Sequence, residues 1–182
     1  MEIFTLPNYL GLEHNNSIQV FDYCIDLPNL NSKVNLAQNT ISFLREGTKE
    51  VFTDQQPVSI ENDSFLLMKA GHCLMTENLS PINKAYRSIL LFFSDELLSN
   101  FIEKQKINSK DLQNIQAIHV CRYDNFIHTF VKSLEDLMTR PKELQSKILQ
   151  TKFEEIMLYL MNTQNKQFLD FITSNIAFHS KD

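Results

Sequence analysis

The side chains with which this 182-residue chain could do chemistry are widely scattered. A metal site in a β-barrel needs several histidines and an acidic residue converging on one ion, commonly opened by a His-x-His pair. No such pair occurs: His14, His72, His119, His128 and His179 stand apart, and only His72 falls in a strand-like segment. Cys73 beside His72 would project to the opposite face of a strand, so the two cannot act as nucleophile and base. There is no Gly-x-Ser-x-Gly elbow and no glycine-rich phosphate loop. The carboxylate pairs Glu135-Asp136 and Glu154-Glu155 lie in helical patterns, where a solvated face accounts for them. Neither a catalytic residue nor a metal ligand nor a cofactor is expected. Cys24, Cys73 and Cys121 are odd in number and far apart, which fits buried thiols better than a disulfide framework or a Cys-x-x-Cys clamp.

The elements that would position any site fall into two halves with different hydrophobic periods. From Asn39 to Phe93 short apolar bursts alternate with turns: NTISFLR, KEVFT, VSI, SFLLM, HCLMTE and YRSILLFF. Each is too short for a helix and reads as a strand. Gly47 and Gly71, two of only three glycines, fall at turns, where a positive φ is most useful. SIQVFDYCIDL, from Ser17 to Leu27, adds one or two strands, closed by Pro28 and the polar NLNS. A set of about eight strands can close around its own side chains or one small ligand.

After Phe93 the period becomes helical. Ser94 can cap SDELLSNFIEKQ, with Asp95 and Glu96 in the first turn where the helix dipole favours negative charge. IQAIHVCRY, Ile115 to Tyr123, fits a buried strand or the lead into a helix. DNFIHTFVKSLEDLM and, beyond Pro141, KELQSKILQTKFEEIMLYLMN are amphipathic helices, and a weaker pattern follows at Phe168, Leu169, Phe171 and Ile172. The expected organisation is α+β: a barrel over residues 1–93, then a helical hairpin or bundle over 94–182. A 43% hydrophobic share suffices for a core, and no apolar run is long enough to span a bilayer. The start lacks the basic flank of a signal peptide, so a cytoplasmic location and no membrane partner are expected. The net charge of −5 argues against this chain gripping a phosphate backbone by itself.

Two stretches carry a family resemblance. Ile41-Ser-Phe43-Leu-Arg-Glu-Gly47 resembles the opening strand signature of the N-terminal regulatory domains of AraC-type transcription regulators. Asn62-Asp63-Ser-Phe65-Leu-Leu-Met-Lys69-Ala-Gly71 resembles their cupin-like turn and strand, with Asn62 where glycine is usual and Lys69 where proline is usual. The FFSDELL junction and KILQTKFEEIMLYLMN resemble the branch that joins the barrel to a self-associating helical pair. The order and spacing cover the chain end to end.

The resemblance implies a cupin-like barrel that senses an effector and dimerises, with DNA reached only through a C-terminal helix-turn-helix domain. No such pattern follows Asn165, so that domain is expected to be absent from this chain. Phe43, Phe65, Leu67, Met75, Leu90 and Phe92 are the expected pocket for a small apolar effector, unless the interior is simply filled. A regulatory protein is the other expected partner. The homodimer contact is expected at Ile127, Phe130, Val131, Leu134, Met138, Ile148, Ile156 and Leu160, so that Leu134→Asp or Ile156→Asp would give monomers. The competing readings are a protein-interaction module without an effector and a stand-alone cupin-like enzyme.

Overall fold

The computed structural model describes residues 2–13, 15–108, 116–164 and 166–179, the side chains of 175–179 excepted. His14 and most of the polar stretch before Ile115 lie outside them, as does the side chain of His179. The strands are β1 (Ile3–Leu6), β2 (Ile18–Ile25), β3 (Asn29–Leu36), β4 (Asn39–Glu46), β5 (Thr48–Phe52), β6 (Val58–Ile60), β7 (Ser64–Met68), β8 (Gly71–Asn78) and β9 (Tyr86–Phe93). A short 3-10 turn, Asn8–Leu10, follows β1. Helix α1 (Asp95–Lys104) precedes a further strand, β10 (Ile118–Arg122), and α2 (Asn125–Met138), α3 (Lys142–Thr163) and α4 (Lys166–His179) complete the order.

The strands form two five-stranded sheets. One runs β1-β3-β8-β5-β6 and the other β10-β7-β4-β9-β2. All neighbours pair antiparallel except β1, which runs parallel to β3 with Ile3 opposite Lys33. The expected mixed class is what forms, with two differences. There are ten strands among the described residues, and they make two separate ladders, a sandwich in place of one continuous barrel.

Three strands lie outside the bursts that read as strands. β1 was not anticipated. β3 grows from NLNSKVNL, whose first four residues read as a closing turn; its alternation still delivers Val34 and Leu36 inward, at 6% and 3% exposure. The ambiguous Ile115–Tyr123 segment supplies β10, which pairs with β7 through His119 opposite Leu67. This sheet therefore draws on chain from both sides of residue 93.

Gly47 makes the β4–β5 turn at φ +88°, and a Cβ there would stand 2.4 Å from the Asn78 backbone oxygen. Both the backbone conformation and the close approach require glycine. Helix starts follow local chemistry. Ser94 accepts from Leu97 N at 3.1 Å, as its N-cap position suggests, and Asp124 accepts from Ile127 N at 2.9 Å at the head of α2. Pro141 stands at the N-cap of α3, one residue ahead of its first turn.

Two hydrophobic clusters share the β10-β7-β4-β9-β2 sheet. One fills the space between the sheets, with Val34, Leu44, Val51, Leu66, Met68, Met75 and Tyr86. The other lies on the far face, where Ile41, Phe43, Phe65, Leu67, Ile89, Leu91 and Phe93 meet the apolar sides of the four helices. Strand alternation divides each strand's residues between the two.

Candidate effector cavity

A cavity of about 200 Å³ opens between the sheets. One wall is Phe4 and Leu6 of β1, Asn29, Ser32, Val34 and Leu36 of β3, Lys49 of β5, and Met75 and Glu77 of β8. The opposing wall is Tyr23 and Ile25 of β2, Thr40 of β4, Met68 of β7 and Leu90 of β9. Tyr9, from the 3-10 turn after β1, completes the lining. It stacks edge-on against Phe4 at 4.8 Å and is itself 64% exposed, so the turn marks the edge of the cavity nearest solvent.

Four polar side chains of this lining, Tyr23, Asn29, Lys49 and Glu77, form one network with Tyr86. Lys49 Nζ donates to Glu77 Oε2 at 3.0 Å and to Tyr86 Oη at 3.5 Å. Glu77 Oε1 accepts from Tyr23 Oη at 3.0 Å and from Asn29 Nδ2 at 3.1 Å, and Asn29 Nδ2 also reaches Tyr23 Oη at 3.0 Å. The side chains of Lys49 and Glu77 are 3% and 7% exposed, a buried ion pair. Burial alone would push the Glu77 carboxyl up, but the Lys49 charge and the hydrogen bonds from Asn29, Lys49 and Tyr23 outweigh it and hold its pKa below the usual value. Burial likewise opposes the Lys49 charge, and Glu77 and Tyr86 override it, so the ammonium is held more firmly than in water. Burial pushes the Tyr86 hydroxyl up to about 12, so it stays neutral. The result is an apolar chamber with one internally neutralised polar wall.

Of the pocket residues expected from sequence, Met75 and Leu90 line the cavity. Phe92 is fully buried two residues from Leu90, on the same face of β9, without reaching the lining. Phe43, Phe65 and Leu67 do not line it: they belong to the helix-facing cluster, with Phe43 against Phe65 at 5.1 Å and against Phe130 at 5.9 Å. Apolar strands buried on both faces give no sequence cue to which face meets which neighbour. Lys49 and Glu77 are not among the expected site residues, although strand parity carries a signal. Lys49 shares its face with buried Val51, and Glu77 shares its face with Met75 and Cys73, so a charged pair was being sent inward.

The positions expected to form a dimer contact are consumed within the chain. Ile127, Phe130, Val131, Leu134, Ile156 and Leu160 are each at most 2% exposed, and Met138 and Ile148 pack partly buried against the same cluster. Helices that must cover an entire sheet face need their full apolar stripes for it. The large apolar side chains left exposed on α2 and α3 are Phe126 and Leu144, both at 42%.

The remaining candidates for chemistry are dispersed. His72 is exposed while Cys73 turns into the inter-sheet cluster. His119 packs against Phe168 and Phe171 of α4, and His128 stacks on Tyr123. Among the described residues no group of three His, Cys, Asp or Glu side chains is placed to hold a metal ion, and no helix is long and apolar enough to cross a membrane.

The family model of the ExsA N-terminal regulatory domain matches residues 39–171. No curated protein sequence matches the chain. Among solved structures the fold is similar to that of ToxT from Vibrio cholerae with bound unsaturated fatty acid, at a TM-score of 0.60 and 12% identity, covering 89% of this chain and 59% of that one. ToxT bound to (E)-4-(8-methylnaphthalen-1-yl)but-3-enoic acid matches at a TM-score of 0.57 and 10% identity, covering 87% of this chain and 60% of that one. The chain thus spans about three fifths of ToxT's length.

Proposed function

From the premise that this chain belongs to the ExsA N-terminal regulatory domain family, the N-terminal part of AraC-type regulators, we propose that it is the effector-sensing part of a transcription regulator. The observation that carries this reading is the cavity of about 200 Å³ between the sheets, apolar on most sides and polar on one. That is the construction of a small-molecule site, at the small end of the usual size range. The two ToxT structures, each with a bound apolar acid, support the idea that this fold accommodates such molecules. An effector acts by binding one arrangement of the helical layer better than another. DNA is then engaged through a helix-turn-helix unit outside these residues, in the cytoplasm, and the role is not enzymatic.

In this reading residues 1–93 supply most of the sensing sandwich and 94–182 the helical layer, while β10 returns to the sheet. Self-association, where it occurs, uses the exposed positions of α2 and α3 such as Phe126 and Leu144, because the deeper stripe is occupied. The same exposed surface favours a protein partner as the second reading. Phe126 stacks on Tyr159 at 3.9 Å and presents an aromatic face outward.

A cavity-filling substitution tests the sensing role. Val34→Phe places a ring in the lining, and small apolar molecules that shift backbone NMR signals of β3, β8 and β9 in the native chain will no longer do so in a folded variant. Unchanged binding in Val34→Phe would remove the cavity as the site.

A further inference from the structure

The charge balance of the cavity wall specifies its ligand more narrowly. Glu77 already has both oxygens engaged, by Lys49, Tyr23 and Asn29. Among the described residues Lys49 is the one cation in the lining and Glu77 the one carboxylate, so this wall carries no net charge at neutral pH. A ligand carboxylate approaching Lys49 would share a single ammonium with Glu77 in a desolvated space. Two carboxylates in that position repel, and the entering one loses its hydration without a cation of its own. An uncharged hydroxyl or carbonyl meets no such cost. Lys49 has three N–H donors and spends two of them, on Glu77 and Tyr86, which leaves one for a ligand hydroxyl or carbonyl, while Thr40 Oγ1 donates to Gln38 O at 3.1 Å and keeps its lone pairs for a ligand hydroxyl.

Resting on the effector-cavity reading above, we infer that this cavity selects an uncharged ligand, a short alkyl or aryl body with one hydroxyl or carbonyl head, and rejects the carboxylate of the same shape. Its size fits that class: at about 30 Å³ per water-sized group, the volume holds roughly seven such groups, and an engineered cavity of about 150 Å³ is known to take benzene. The inferred preference is opposite in charge to the acids bound in the two ToxT structures. It follows from Glu77 standing beside Lys49.

The test compares 1-heptanol with heptanoate on the full chain at about pH 7.5, where the acid is ionised, by NMR titration of the β3, β8 and β9 amides. The alcohol is expected to bind tighter by about tenfold or more, given the cost of burying a second carboxylate. Glu77→Gln frees the Lys49 charge and is expected to reverse the order in favour of heptanoate. Should that variant fail to fold, Lys49→Met/Glu77→Leu replaces the pair with apolar groups of similar size and is expected to keep the preference for the alcohol. Equal or tighter binding of heptanoate to the native chain overturns the charge selection and leaves the effector cavity standing. If neither probe shifts the cavity amides, both readings fall.

Discussion

At the scale of single residues the central fact is a lysine and a glutamate facing each other where apolar side chains would be cheaper. A buried ion pair is weak evidence for stability, since desolvation offsets much of the attraction, but removing one partner leaves an uncompensated charge and costs about 3–5 kcal/mol. The direction of the Glu77 shift then fixes a pH window. Its folded pKa lies below the ordinary 4.5, so the stability it contributes is fully present above that value and is lost as the pH falls through the folded value. Lys49, shifted upward from 10.5, contributes stability that is present below that value and lost only as the pH rises through its folded pKa. Urea denaturation between about pH 3 and 7 should therefore show stability falling on the acid side, and the Lys49→Met/Glu77→Leu variant should flatten that slope. An identical acid slope in both proteins would assign the loss to other carboxylates.

At the scale of elements, the helices are part of the core. Leu134 and Ile156 are both completely buried against the β10-β7-β4-β9-β2 sheet. Leu134→Asp or Ile156→Asp is accordingly expected to unfold the chain or cost upward of about 3 kcal/mol, the scale for burying an unpaired charge. That burial argues against the folded monomers expected from the helical pattern. Thermal denaturation checks it: a variant melting like the native chain, at lower mass, would restore Leu134 or Ile156 to an interface. The helices themselves were legible because period 3.6 and the Ser94 cap are local signals. So were the seven strands from β2 and β4 to β9, whose bursts end at turns. β3 was hidden by polar outward residues, Asn31, Lys33 and Asn35. β10 is ambiguous in sequence, a buried strand or the lead into a helix, because its partner β7 is separated from it by α1 and a long polar stretch. Met75 and Leu90 follow from apolar alternation, but which face of β4 and β7 meets the helices depends on pairing that no single strand encodes.

At the scale of the whole molecule, the cavity and the helical layer are opposite sides of the same strands. Thr40, Met68 and Leu90 line the cavity, while Ile41, Leu67, Ile89 and Leu91 from those strands pack under α1 to α4. A side chain cannot be displaced on one face without loading its neighbour on the other, because interiors are close-packed and poorly compressible. This gives an effector a physical route to the helices through one sheet, with no hinge required. It also makes a measurable demand on cooperativity. A ligand at a hundred times its Kd stabilises the folded state by about 2.7 kcal/mol, and amides that exchange only through openings that destroy the site gain all of it. Hydrogen exchange in saturating 1-heptanol should therefore slow in β4, β7 and β9 and, by a similar free energy, in α2 and α3, whose detachment would strip Phe43, Ile89 and Leu91 of their cover. Protection confined to β3, β5 and β8, with α2 and α3 unchanged, would show that the helical layer opens independently of the cavity. An effector there would then have no means of reaching it.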